Sequence, residues 1–257
     1  LRYAPPLSQL LPNVLQFLCQ GQPTNLPPTG VSGISQLIDF CRRYRCLLVL
    51  DNWESVLQDG CLVGGYREGY QDYAQLLRSL GETEHQSCLL LTSWDKPKEI
   101  ALLERDRPWV RSWQLDGLGV AALEIFKAKG LSEEQQCQEI IRPYKGHPLA
   151  LNIVATTIQD VFGGSVKNFL KNNTMFLGDF EYLLSEQLQR LSEVEGKLLV
   201  CLANQRGSVS FGQLRGEAEL DLSSSDLIKA VESLVRRSLL ETVAKEDETF
   251  YTMPPVL

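Results

Sequence analysis

Histidine and methionine are scarce in this chain, two of each in 257 residues. With so few imidazoles, a histidine-built metal centre is a poor fit. No apolar run approaches the roughly eighteen residues that a membrane-spanning helix needs, and no signal-peptide pattern opens the sequence. The seven cysteines, Cys19, Cys41, Cys46, Cys61, Cys88, Cys137 and Cys201, are odd in number and form no Cys-x-x-Cys pair. Neither a disulfide framework nor a zinc knuckle is indicated; a reduced, cytoplasmic setting fits. Cys46, Cys88 and Cys201 lie inside apolar runs and read as small core residues. Basic excess is missing as well: the net charge is -7 and the isoelectric point about 5.0. That argues against nucleic acid or a membrane surface as partner, since both call for a dense basic face. Also absent is the string Gly-x-x-x-x-Gly-Lys-Ser/Thr, whose N–H groups, lysine and hydroxyl cradle nucleotide phosphates. The first residue is Leu1 and not Met, and Leu1-Arg2-Tyr3-Ala4-Pro5-Pro6 reads as the tail of a strand entering a loop, the opening of a fragment of something longer.

What is present is enough apolar material, 44%, to build a core, over a length that suits two or three compact units. The most informative stretch runs from Arg45 to Glu54. Its apolar run Cys46 to Leu50, closed by Asp51, reads as a strand buried on both faces of a parallel sheet. The acid then stands at the strand's carboxyl end, where open α/β sheets bind ligands. Many strands end in Asp simply because Asp starts turns. A second run, Cys88 to Leu91, ends in Thr92, Ser93 and Trp94 and is stopped by Asp95 and Pro97. Between the two, Tyr70, Tyr73, Ala74, Leu76, Leu77 and Leu80 have helical spacing closed by Gly81. Strand, helix and strand at this separation form a right-handed parallel crossover. Ahead of it, residues 7–19 and 33–44 carry helical apolar faces separated by a Pro- and Gly-rich loop, Gly21 to Gly33. Gly60 to Gly69 has no lysine and no apolar strand before it, and reads as a mobile loop.

Three strings fall in one order: Leu47-Leu48-Val49-Leu50-Asp51-Asn52-Trp53-Glu54, Leu89-Leu90-Leu91-Thr92-Ser93, and Lys145-Gly146-His147-Pro148-Leu149-Ala150-Leu151. As an ordered set they resemble the NB-ARC nucleotide-binding module of signal-transduction ATPases with numerous domains, in a bacterial, cyanobacterial-like version. The resemblance implies a partial P-loop NTPase sheet, a small helical domain and a winged helix, with ADP or ATP and Mg2+ as ligands of the intact parent. By that likeness Asp51 holds the magnesium, Asn52 and Glu54 stand where water is activated, Thr92 and Ser93 face the phosphates, and His147 with Pro148 forms the turn at the adenine. It further implies an ADP-bound off state, ATP-driven opening into an oligomer, and sensor or output parts, such as β-propeller repeats, elsewhere in the parent.

The sequence also departs from that pattern. Trp94 stands where an arginine looks toward the γ-phosphate, and an indole cannot supply bidentate cationic donors; it equally suits covering the sheet edge. Asn52 can orient water but cannot accept a proton, which leaves Glu54 as the substitute base. His147 replaces a leucine, and Met253-Pro254-Pro255 occupies the place of the family's Met-His-Asp string. In the family the P-loop lies upstream of the magnesium Asp, and the chain begins too late to include it. Micromolar binding is worth about -8 kcal/mol and each hydrogen bond to a charged group roughly 1.5–3. Losing four or more phosphate contacts therefore removes most of the affinity.

The expected domains are 1–114, the C-terminal part of the nucleotide-binding domain; 115–178, helical; and 179–257, the winged helix. In the second, Asp116 is a candidate cap, Ser132 with Gln135 has capping-box spacing, and Pro148 suits the first turn of a helix. Gly163-Gly164-Ser165 and Asn172-Asn173 mark breaks. In the third, helices over 183–191, 193–204, 210–216 and 224–237 precede a hairpin of Leu239–Val243 and Thr249–Met253. Winged helices often read DNA, but from Ser224 to Leu257 four bases face six acids, the wing tip among them. That is the wrong balance for phosphate neutralisation. Alternatives of other classes are a non-enzymatic winged-helix regulator binding DNA or protein, and a decayed gene piece without activity.

Overall fold

A computed structural model describes residues 1, 3–19, 30–172, 180–205, 207–217, 222–245 and 248–254. The chain is mixed α/β, mostly helical, with two small sheets. In chain order the first elements are α1 (Leu7–Leu18), α2 (Gly30–Arg43), β1 (Leu47–Leu50), α3 (Asp72–Glu82), β2 (Cys88–Leu91) and α4 (Lys98–Asp106). Next come α5 (Leu123–Ala128), α6 (Glu134–Ile141), α7 (Pro148–Phe162), α8 (Val166–Lys171) and α9 (Phe180–Gln189). The last are α10 (Glu193–Asn204), β3 (Val209–Ser210), α11 (Phe211–Gly216), α12 (Ser224–Arg236), β4 (Glu241–Lys245) and β5 (Glu248–Thr252). They fall into two compact units. One holds Leu1–Ser112, Arg190–Cys201 and Gly212–Leu240; the other holds Trp113–Gln189, Leu202–Phe211 and Glu241–Leu257.

In the first unit, β1 and β2 pair in parallel, with Leu47 opposite Cys88 and Leu50 opposite Leu91. Helix α1 contributes Leu7, Leu11 and Leu15, α2 contributes Ile34, Leu37, Ile38 and Cys41, and α3 contributes Tyr73, Leu76, Leu77 and Leu80, all at helical spacing and all buried. These residues enclose Trp53, and Leu48, Leu50, Leu89 and Leu91 pack on the same cluster. The Trp53 indole meets Tyr73 edge-on at 5.3 Å. The Tyr73 hydroxyl, its pKa pushed by burial up to about 12, donates to the Pro5 carbonyl at 2.6 Å.

The reading of a strand buried on both faces is corrected here. The helices all pack on one face, so on the other Leu47 is 65%, Val49 54% and Leu90 48% exposed. Cys88 opens on that face too and is not a core residue, whereas Cys201 is buried. The loop 60–69, expected to be mobile, is tied down at several points. Gln58 N–H donates to the Gly65 carbonyl at 3.0 Å, Gly60 N–H to Arg190 at 2.9 Å, and Val63 N–H to the Ser233 hydroxyl at 2.7 Å. Arg237 donates to the Cys61 carbonyl at 2.7 Å. These anchors lie far along the chain, where local composition carries no sign of them.

Arg190–Cys201 and Gly212–Leu240 join this unit through charge rather than through its apolar core, since none of their residues belongs to the cluster around Trp53. Asp95, Glu195 and Arg237 are all but fully buried. Asp95 Oδ2 accepts from Arg237 at 3.0 Å and from Arg190 at 2.9 Å; Glu195 Oε1 accepts from Arg237 at 2.9 Å and from the Ser233 hydroxyl at 2.6 Å. Charges removed from water persist only with this density of partners.

The second unit is built on α7, which buries Ala150, Leu151, Val154, Ala155 and Ile158 against Phe126, Ile140, Tyr144 and Phe169. It ends at Gly163, in left-handed backbone, as helix C-caps commonly do. Two expected caps do not form. Glu133 is the cap position of α6 and makes no side-chain capping bond to it, so the Ser132–Gln135 box is not made, and Asp116 lies two residues before Leu118, the cap position of a short 3-10 turn, Gly119–Ala122. The second sheet is antiparallel in the order β3-β5-β4; its first hairpin strand starts at Glu241, because Leu239 and Leu240 are buried in the turn after α12. The acids Glu246 and Asp247, Pro255, most of the loop from Gly21 and Asn173 fall outside the described residues.

Candidate functional site

The carboxyl ends of the paired strands bring four of the sequence-selected residues together. β1 runs out into Asp51 and Asn52, β2 into Thr92 and Ser93, and the parallel register sets them side by side. The Thr92 hydroxyl donates to Asp51 Oδ1 and accepts from the Asn52 N–H at 3.1 Å; the Thr92 carbonyl accepts from Trp53 N–H at 2.9 Å. A hydroxyl has one proton to give, so Thr92 fixes the Asp51 carboxylate and the Asn52 backbone at once. Asn52 sits at φ 59°, ψ 54°, left-handed backbone that Asn tolerates better than most residues. The chain thereby turns sharply after Asp51 and enters a 3-10 turn, Trp53–Val56.

Asp51 is exposed. Its second carboxylate oxygen has no protein partner among the described residues. Glu54, by contrast, is 9% exposed, with Oε2 accepting from Trp94 N–H at 3.3 Å and its carbonyl from Arg190 at 3.1 Å. The Ser93 hydroxyl accepts from Asp95 N–H at 3.2 Å. Trp94 is 38% exposed. Among the described residues no group of three or more His, Cys, Asp or Glu side chains could hold a metal. The donor set of one exposed carboxylate beside a hydroxyl suits a hard cation that keeps most of its water and takes further oxygens from a phosphate.

His147 and Pro148 belong to the other unit. The chain reaches them through Lys145 at φ 48° and Gly146 at φ 71°. The strand of chain at Gly117 crosses this turn so closely that a Cβ there would lie 1.7 Å from the Lys145 carbonyl oxygen, and Leu118 N–H donates to the Gly146 carbonyl at 2.9 Å. His147 is the N-cap of α7, its Nδ1 accepting from Ala150 N–H at 3.4 Å. Burial lowers its pKa below the ordinary value, which favours the neutral ring that can accept this bond. Pro148 occupies the first turn and is exposed.

The buried charges went unread in the sequence. Asp95 serves there only as a strand stop, and Arg237 counts as a surface base. Nothing local shows that they meet across 142 residues.

Among the described residues no helix is long and apolar enough to cross a membrane. No protein-family model matches the chain. Over 250 residues, 95% of its length, the chain is 41% identical to an uncharacterized WD repeat-containing protein of Nostoc sp. (strain PCC 7120), and it spans 20% of that relative's length.

Proposed function

We propose that this chain is part of an NB-ARC nucleotide switch: the rear of the α/β nucleotide-binding domain, a helical domain, and a winged helix over 179–257. The observation that carries the reading is the Asp51–Thr92 pair at the ends of two parallel strands, with the adjoining backbone locked by the same hydroxyl. In the intact parent Asp51 holds the Mg2+ of a bound nucleotide, with Thr92 and Ser93 beside the phosphates. His147 keeps α7 capped, so that Pro148 is presented to the adenine. Glu54, held by Trp94 and Arg190, is placed to orient or deprotonate water, and Asn52 shapes the turn that carries it.

The order α10, β3, α11, α12, β4, β5 supports a winged helix. Arg237, buried, and Arg236, bonded to the Lys96 carbonyl at 2.7 Å, are occupied within the protein, which favours a protein-facing role over DNA reading. The WD repeats in the name of the longer relative support β-propeller repeats elsewhere in the parent, where partners are met.

The test has two arms. Calorimetric titration of this chain with ADP or ATP is expected to give no micromolar binding, because the chain has no phosphate-cradling loop. In the full-length polypeptide Asp51→Ala is expected to abolish Mg2+-dependent nucleotide turnover. Micromolar affinity in the first arm, or unchanged turnover in the second, overturns the reading.

A further inference from the structure

Two Asp-Gly pairs occur in the chain, Asp59-Gly60 and Asp116-Gly117. An aspartate followed by glycine is open to ring closure, in which the next residue's nitrogen attacks the side-chain carboxyl; glycine leaves that approach clear because it carries no side chain. The carboxyl must swing onto the nitrogen, and the N–H must be free to give up its proton. A hydrogen bond on either group holds it in place. All four residues are exposed, so exposure does not separate the two pairs, and bonding does.

Asp59-Gly60 is tied on both sides. Asp59 Oδ1 accepts from Arg190 Nη1 at 2.7 Å, and Gly60 N–H donates to the Arg190 carbonyl at 2.9 Å, so one residue restrains both the electrophile and the nucleophile. Asp116-Gly117 has neither restraint. Among the described residues no hydrogen bond or ion pair involves Trp113, Gln114, Leu115, Asp116 or Gly117. The first tie beyond them is Leu118 N–H to the Gly146 carbonyl at 2.9 Å, within the same unit. Unbonded backbone ahead of that fixed point leaves the Asp116 carboxyl free to rotate, and it has the slack to take up an added methylene.

We propose that Asp116-Gly117 is a modification site, where aspartate converts to isoaspartate in the folded chain while Asp59-Gly60 is protected. The Gly117 nitrogen bonds to Asp116 Cγ, the carboxyl hydroxyl leaves with the N–H proton as water, and a succinimide ring stands in the chain. Water then breaks the bond from that nitrogen to Cγ, which restores Asp116, or the bond to the main-chain carbonyl carbon, which routes the chain through the side chain and frees an α-carboxylate. One water leaves and one returns, so the mass is unchanged and no oxidant or cofactor takes part. The product is the substrate class of carboxyl methyltransferases that esterify the α-carboxylate of L-isoaspartyl residues. The unbonded run 113–117 presents it to such an enzyme without unfolding, and independently of any nucleotide.

To test this, the whole chain is aged at neutral pH, folded or in urea, and then given such a methyltransferase with labelled S-adenosylmethionine, and the label is mapped on peptides. In the folded chain the label is expected at 116–117 and several-fold less at 59–60. In urea, where Arg190 no longer holds Asp59, it is expected at both pairs alike. Asp116→Glu, whose larger ring closes far more slowly, is expected to lose the folded-state label, and Asp59→Glu to keep it. No label at 116–117 in the folded chain, equal label at the two pairs there, or label that survives Asp116→Glu overturns the proposal.

Discussion

At the scale of single residues, the turn before α7 is the most constrained place in the chain. Gly117 has no room for a methyl group against the Lys145 carbonyl, and both sides of the contact are backbone, so nothing flexible can give way. Gly117→Ala is expected to lower the stability of the second unit by about 3 kcal/mol or more, seen as earlier loss of hydrogen-exchange protection in α7 in urea. His147 adds a pH dependence to the same turn. Its folded pKa lies below the unfolded value, so as pH falls below about 6.5 the unfolded chain takes up the proton first. The His147 contribution is present above that pH and is lost on acidification through the folded pKa. His147→Asn, which retains a capping side chain, is expected to remove this component between pH 7 and 5 in thermal melts compared with the wild type.

Among elements, the attachment of Arg190–Cys201 and Gly212–Leu240 differs in kind from the packing of α1, α2 and α3. Asp95→Asn takes a buried negative charge from two arginines, and Arg237→Met leaves Glu195 short of its cation. Each is expected to cost about 3–5 kcal/mol, whereas Lys229→Ala, removing an exposed pair with Asp226, should leave the urea midpoint in place. This contrast also explains what could be read in advance. The faces of α1, α2, α3 and α12 follow from apolar spacing alone, because burial on one side is all the spacing encodes. That Asp51 ends a strand is legible for a similar reason: an apolar run and a terminal acid are local. Which face of β1 is covered, that the Thr92 hydroxyl grips Asp51, and where the loop 60–69 is tied all depend on residues brought in from elsewhere. An Asp after a strand looks the same whether it starts a turn or receives two guanidinium groups.

For the molecule as a whole, the first unit is discontinuous in sequence: its apolar cluster lies within residues 4–80, apart from flanking strand and helix residues, while its charged partners return only after residue 189. A chain ended at residue 189 is therefore expected to keep α1, α2 and α3 protected from hydrogen exchange. Protection at 58–66 should be lost, because Arg190, Ser233 and Arg237 are gone; loss of α3 as well would show the cluster to depend on them. The same layout sets a timetable during synthesis. At about 5–20 residues per second, the 142 residues from Asp95 to Arg237 take from under ten to about thirty seconds to emerge. Through that interval the waiting seam presents a carboxylate and backbone carbonyls to water instead of an oily surface, so the half-made chain keeps its solubility at the place where the late-arriving arginines will close it.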